Sequence, residues 1–192
     1  MHSLVLGSTS PFRKALLDKL GIPFITDTPN TDEARRPGET PDRLVRRLAE
    51  AKARDVASRF ADALVIGSDQ AACVGDEILG KPGNRENAIA QLSAASGKAV
   101  TFYTGLCLYN TANDQIQVAV EPFVVHFRKL DAAQIERYID HEQPFNCAGS
   151  FKSEGLGITL FAALEGRDPN ALVGLPLIRL VEMLDRQGVS LP

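Results

Sequence analysis

The sequence predicts a mixed α/β fold, built as one domain or as two small lobes at most. Three observations predict it. Short apolar runs with strand character alternate with segments of helical hydrophobic spacing. Capping and proline residues mark the junctions, as at Ser10-Pro11 and Thr40-Pro41. The 192 residues are 44% hydrophobic and 23% charged, enough to bury a full core, with no repeat, linker or low-complexity tract.

The first strand spans residues 2 to 7. Ser10 and Pro11 then open a helix whose Phe12, Ala15, Leu16 and Leu20 share a stripe, and Gly21 stops it. IPFIT at 22–26 reads as a short strand, followed by a polar loop with Asp32 and Glu33 adjacent. Thr40-Pro41 opens a second helix to about residue 59. ALVIGSDQ at 63–70 reads as a buried strand ending in a carboxylate. A hairpin through Gly75-Asp76 closes at Gly80-Lys81-Pro82, and Asn84 caps a third helix that ends near Gly97. Residues 99–109 and 115–127 alternate as two long strands, with a bulge or bend expected near Glu121-Pro122. Asp131 and Gln134 form a capping-box pattern for a helix to about residue 140. NCAGSFKSEGLGITLF, starting at Asn146, reads as a strand or two with glycine kinks, and EGRDPNALVG as a loop. A final amphipathic helix spans residues 175–187.

Composition excludes several classes. A net charge of −3 argues against a general binder of nucleic acid or anionic membranes, so any phosphate site must be a local cluster of cations. Cys73, Cys107 and Cys147 are isolated and odd in number, which suits free thiols in a reducing cytoplasm rather than a zinc or disulfide framework. His2, His126 and His141 form no close ligand pair. Neither a signal peptide nor a membrane span is expected.

The residues that could carry chemistry are few. The start of the first helix offers unpaired N–H groups and a positive dipole end, with the Ser8, Thr9 and Ser10 hydroxyls and the Arg13 guanidinium beside it. That is an anion site or a plain helix cap with a solvated arginine. Asp69 closes an apolar strand, where α/β sheets place ligands, or it only forms a turn. Glu33 is a metal-ligating oxygen donor or a solvated loop charge. Lys52 lies on the apolar face of its helix with Leu44, Leu48 and Val56, aimed into a site or snorkelling out of one. Lys81, held extended by the proline after it, faces a site or bulk water. Two acids, two lysines, an arginine and a helix N-terminus suit metal-assisted phosphoryl chemistry. No serine-histidine-aspartate set or thiolate nucleophile stands out.

The chain resembles the Maf family of nucleoside triphosphate pyrophosphatases over nearly its whole length. The resemblance is carried by STSPFRKALL at 8–17, DE at 32–33, GSDQ at 67–70, GKP at 80–82, YTG at 103–105, CAGSFKSEG at 147–155 and EGRDPNALVGLPL at 165–177. It implies one Maf-like domain over 1–192. The implied fold is of the inosine-triphosphate pyrophosphatase type, an elongated mixed sheet flanked by helices in two lobes with a central cleft. It implies hydrolysis of a nucleoside triphosphate to the monophosphate and pyrophosphate with a divalent metal (Mg, Mn or Co), in a cytoplasmic homodimer. Asp69 matches the family's general base. Ser8, Arg13, Lys52 and Lys81 match substrate-binding positions, and Glu33 with Asp69 the metal site.

Specificity follows from three further positions. Members acting on thymidine and uridine triphosphates carry an Arg, a Thr and a Gln where this chain has Phe12, Gln70 and Glu154. The latter set resembles the subgroup that hydrolyses 7-methyl-GTP, although Phe12 stands where that subgroup more often has Trp. An aromatic face attracts the cationic 7-methylguanine, and a carboxylate accepts from its N1–H and amino group. On the residues alone, Phe12 reads as a core residue of its helix and Glu154 as a solvated charge in a glycine-rich strand. The alternatives are the same reaction on other canonical or modified nucleotides, and a non-catalytic nucleotide-binding regulator linked to cell division.

Overall fold

Side-chain alternation decides how the strands of this protein are covered. In the computed structural model, which describes residues 3–75 and 77–191, seven strands form one open mixed sheet with helices against it. In chain order the elements are β1 (Ser3–Gly7), α1 (Pro11–Asp18), β2 (Ile25–Asp27), α2 (Pro41–Ala57), β3 (Ala63–Val74), β4 (Glu77–Leu79), α3 (Arg85–Ala95), β5 (Ala99–Asn110), β6 (Gln115–Phe127), α4 (Ala132–Glu142), β7 (Phe161–Gly166), α5 (Pro169–Val173) and α6 (Leu177–Asp185). Two 3-10 turns, Ala148–Ser150 and Leu156–Leu160, precede β7. Strand order is β2-β1-β3-β5-β6-β7, with β4 paired to β3. The expected strand start at His2 and the turn residue Asp76 lie outside the described residues.

The chain divides into two compact units: Met1–Gln70, Thr104–Glu121 and Asp168–Pro192 form the first, and Ala71–Tyr103 with Pro122–Arg167 the second. In the first unit β1 lies parallel between β2 and β3, in register from Ser3↔Ala63 to Gly7↔Gly67. Leu4, Leu6, Leu64, Ile66, Leu106 and Leu108 point to one face and pack with Leu16 and Leu17 of α1 and with Leu180 and Leu184 of α6. Val5, Val65 and Cys107 point to the other and pack with Ala49, Ala53 and Val56 of α2. A sheet buried on both faces needs apolar residues at every position, which is why these strands read as unbroken apolar runs.

The second unit holds the antiparallel pairings Ala72↔Leu79 and Phe123↔Gly166. Its core contains Leu92, Ile135 and Ile139, and Phe102, Phe127, Phe151 and Phe161 meet edge-on with centroids 5.0–5.5 Å apart.

Local signals placed most helices well. Ser10 Oγ accepts from Arg13 N at 3.3 Å, Asn84 caps α3, and both halves of the Asp131–Gln134 capping box are formed. Three expectations need correction. Asp69 does not end its strand: β3 runs on to Val74, because the small, buried Ala71, Ala72 and Cys73 continue the run and pair with β4. The strand expected at 22–26 starts only at Ile25, since Pro23 has no N–H to give and Gly21 turns the chain at φ +66°. The strand expected within 146–161 is two 3-10 turns instead; β7 takes residues 161–166, the last two of them expected as loop, and the rest of that expected loop holds α5. Gly157 lies so close to the Lys152 carbonyl (2.2 Å from an ideal Cβ) that this segment must curl on itself.

Candidate active site

The site is built by letting one helix lie directly on the sheet. A Cβ on Gly67 would stand 2.1 Å from the Ala49 carbonyl oxygen, and one on Gly105 would stand 2.1 Å from that of Val45. Glycine at these two positions lets the α2 backbone touch β3 and β5. That approach carries Lys52, buried in the middle of α2, to the level of Asp69.

Lys52 Nζ lies 2.6 Å from Asp69 Oδ1 and 2.6 Å from Glu33 Oε1. The snorkelling alternative is therefore excluded, for the ammonium is turned inward onto two carboxylates. Asp69 lies two residues beyond Gly67, the last parallel partner of β1. It thus still sits past the carboxyl end of β1, although its own strand continues. Burial lifts the Asp69 carboxyl above its usual pKa; Lys52 and Arg13 pull it back, and Glu33 adds to the rise. Its Oδ2 takes no hydrogen bond from the described residues, so lone pairs are left for a water.

Glu33 reaches Lys52 from an exposed loop, and that loop is stapled. Arg47 makes a fork to Glu39 at 2.6 and 2.8 Å and donates to the Ala34 carbonyl at 3.0 Å. The Arg36 N–H donates to Glu39 as well. These donors hold the Glu39 carboxyl well below the usual range, at about 2.

Arg13, half-buried at the start of α1, donates through Nε to the Gly174 carbonyl at 2.8 Å. Burial lowers its pKa, while Asp69 and Glu33 oppose that shift, so the guanidinium senses both acids. Ser8 is buried, and its Oγ accepts from Ser10 N at 3.1 Å, leaving its own hydrogen to donate. Phe12 is 38% exposed and stays outside the core, where α1 contributes Leu16 and Leu17. The reading of Phe12 as a core residue is therefore excluded.

Ser8, Phe12, Arg13, Glu33, Lys52, Asp69 and Gln70 all belong to the first unit. Lys81 and Glu154 belong to the second. There both are exposed and lie close enough to bias the Cys147 thiol, which burial and Glu154 raise and which Lys152 and Lys81 lower. Glu154 sits in a turn beside Ser153, whose Oγ donates to it at 3.3 Å. Gln70 differs from the others because its amide is already engaged. Nε2 donates to Thr104 Oγ1 at 3.0 Å and to the Ala171 and Leu172 carbonyls at 2.9 and 3.1 Å.

Three contributors were missed from sequence. Ser68, fully buried, donates toward the Gly105 and Gly174 carbonyls at 2.8 and 3.0 Å. Thr104 donates to Ala171 at 2.8 Å, and buried Asp168 accepts from the Asn170 and Ile178 N–H groups, each at 2.8 Å. The sequence signal for Ser68 and Thr104 is a small polar residue inside an apolar run, and for Asp168 it is the helix-opening Asp168-Pro169 pair.

For a divalent cation the donor set is two carboxylates, Glu33 and Asp69, already converging on one positive charge. Among the described residues no group of three or more His, Cys, Asp or Glu side chains gathers. Two carboxylates completed by phosphate oxygens and water is how magnesium is commonly held, so the residues fit the group. The arrangement can oppose a polyanion with two fixed cations and offer a carboxylate with free lone pairs beside them.

The Maf-like protein family matches residues 3–187. Among curated proteins, the chain is 62% identical over 190 residues to a 7-methyl-GTP pyrophosphatase of Alcanivorax borkumensis, covering 99% of this chain and 96% of that one. It is 56% identical over 190 residues to a 7-methyl-GTP pyrophosphatase of Colwellia psychrerythraea, covering 99% and 95%. With the family matched over almost its entire length, this chain belongs to the Maf family.

Proposed function

We propose that this protein is a hydrolase that cleaves 7-methyl-GTP to 7-methyl-GMP and pyrophosphate. The observation that carries the reading is the Asp69 carboxylate, lifted by burial, gripped through Oδ1 by Lys52 and open at Oδ2. The names of the two close relatives support the same substrate. The chain acts as a single Maf-like domain over 1–192, in a cytoplasmic homodimer. Among the described residues no helix is long and apolar enough to cross a membrane.

Asp69 orients the attacking water and takes its proton. A raised pKa makes a carboxylate a better base at the cost of a smaller ionised fraction at low pH. Arg13 and Lys52, with Lys81, bind the triphosphate and stabilise charge on the departing pyrophosphate, and the Ser8 hydroxyl donates to a phosphate oxygen. Glu33 and Asp69 would hold a divalent cation (Mg, Mn or Co), which when bound neutralises phosphate charge and polarises water.

Phe12, exposed at the helix start, offers a face to the cationic base. Glu154 accepts from the guanine edge, and Gln70 is the third specificity position. The test is product analysis with magnesium or manganese over a panel of nucleotides. 7-Methyl-GTP should yield pyrophosphate faster than GTP, and Phe12→Ala should shrink that ratio. Equal rates on all nucleotides would favour the broader reading, a pyrophosphatase of other canonical or modified nucleotides.

A further inference from the structure

Gln70 has no amide hydrogen to spare for a nucleotide. Its two hydrogens serve three acceptors: Thr104 Oγ1, Ala171 O and Leu172 O. Thr104 Oγ1 in turn donates to Ala171 O, so Gln70 and Thr104 clamp one short segment from β3 and β5. The stretches YTG at 103–105 and EGRDPNALVGLPL at 165–177, to which sequence assigned no chemistry, meet at this clamp.

The clamped segment is α5 and the turn after it. Asp168 fixes its start by accepting from Asn170 N, Asn170 Nδ2 and Ile178 N, all at 2.8 Å. Its end is Gly174, at φ +125°, a conformation that L side chains rarely adopt. The Gly174 carbonyl is the acceptor for Arg13 Nε at 2.8 Å and for Ser68 Oγ at 3.0 Å. A second strut joins the same elements, for Lys19 Nζ donates to Asn170 Oδ1 at 3.1 Å. α1 is thus tied to this segment near both of its ends, with Phe12 and Arg13 on its first turn.

We infer that Gln70 is a positioning residue: it acts on nucleotide binding at one remove, by fixing the 171–174 carbonyls that aim Arg13 and seat the Phe12–Arg13 turn. Resting on the active-site reading above, this assigns a route by which position 70 influences the bound nucleotide without touching its base. The Arg13 Nη groups donate no hydrogen bond to the described residues, so the Nε–Gly174 bond is the side-chain hydrogen bond that orients them. A fork held at one edge presents its other edge in a fixed plane, as bidentate phosphate recognition needs.

The discriminating probe is inorganic tripolyphosphate, which has no base. Its affinity is measured by calorimetry for the wild type, Gln70→Met, Arg13→Met and the double variant. Gln70→Met should weaken tripolyphosphate about tenfold, the size of one charge-assisted hydrogen bond. In the Arg13→Met background the same change should do nothing. A purely structural role would lower the melting temperature and leave the affinity of the folded protein unmoved. Should Gln70→Met fail to fold, Thr104→Val removes the partner half of the clamp and should weaken tripolyphosphate in the same Arg13-dependent way.

Unchanged tripolyphosphate affinity in Gln70→Met, with an altered preference between 7-methyl-GTP and GTP, would overturn the inference in favour of direct base contact. Equal losses with and without Arg13 would overturn it too. A wild-type protein that ignores tripolyphosphate would instead remove the phosphate-site reading on which this one rests.

Discussion

Lys52 Nζ stands 2.6 Å from Asp69 Oδ1 and 2.6 Å from Glu33 Oε1, one buried ammonium shared by two carboxylates that are 36 positions apart in sequence. Lys52 is 7% exposed, so its ammonium depends on the two carboxylates for the solvation that burial removes. Lys52→Met leaves two acids facing each other without their cation. It should destabilise the fold by about 3 kcal/mol, the lower end for breaking a buried pair. Denaturant unfolding at neutral pH checks this; an unchanged midpoint would show that the pair is not coupled to folding.

The Asp69 carboxyl is lifted by burial and by Glu33, and lowered by Lys52 and Arg13. Removing the negative charge of Glu33 must therefore lower it. In metal-free protein, carboxyl NMR should place the wild-type Asp69 midpoint above the ordinary aspartate range. Glu33→Gln should shift that midpoint to lower pH. A shift to higher pH would mean that Glu33 acts mainly by holding Lys52 in place.

Gly67 is where α2 rests on β3, its ideal Cβ position 2.1 Å from the Ala49 carbonyl and 2.7 Å from the Ala53 nitrogen. These are backbone atoms, which cannot swing away. Gly67→Ala should cost about 3 kcal/mol, the upper range for overpacking, and should draw Lys52 away from Asp69. Thermal unfolding checks the first part and the Asp69 titration the second. A fully stable Gly67→Ala variant would contradict the close packing.

Glu39 titrates at about 2 in the folded protein, below its unfolded value near 4.5. Its interaction with Arg47 and the Arg36 N–H therefore adds stability above the unfolded pKa. That contribution fades as pH falls through the window down to about 2. Glu39→Gln should melt below the wild type at pH 7, and the difference should close toward pH 2. A difference independent of pH would show that the fork acts through shape rather than charge.

How far the sequence reveals this molecule depends on the range of the forces involved. Helix starts are local, and Ser10, Asn84 and Asp131 each cap as their neighbours dictate. The position of Lys52 on an apolar stripe was an equally local clue to a site. The length of β3 was not local, because continuation past Asp69 depends on β4 pairing with Ala72 and Cys73. Nor were the 3-10 turns around Phe151, which the other phenylalanines of the second unit hold in place. Gln70 shows the limit most clearly. Its three acceptors lie 34 to 102 residues away, and no spacing rule connects them.

The central claim is that Asp69 is the base of a pyrophosphate-releasing reaction, and one comparison tests it most directly. Pyrophosphate release from 7-methyl-GTP is measured for the wild type and for Asp69→Asn, with nucleotide affinity determined in parallel. Asn keeps the shape and loses the basicity, so the rate should fall by about 10²- to 10⁴-fold while binding persists. An Asp69→Asn variant that binds 7-methyl-GTP and turns it over at the wild-type rate would contradict the account.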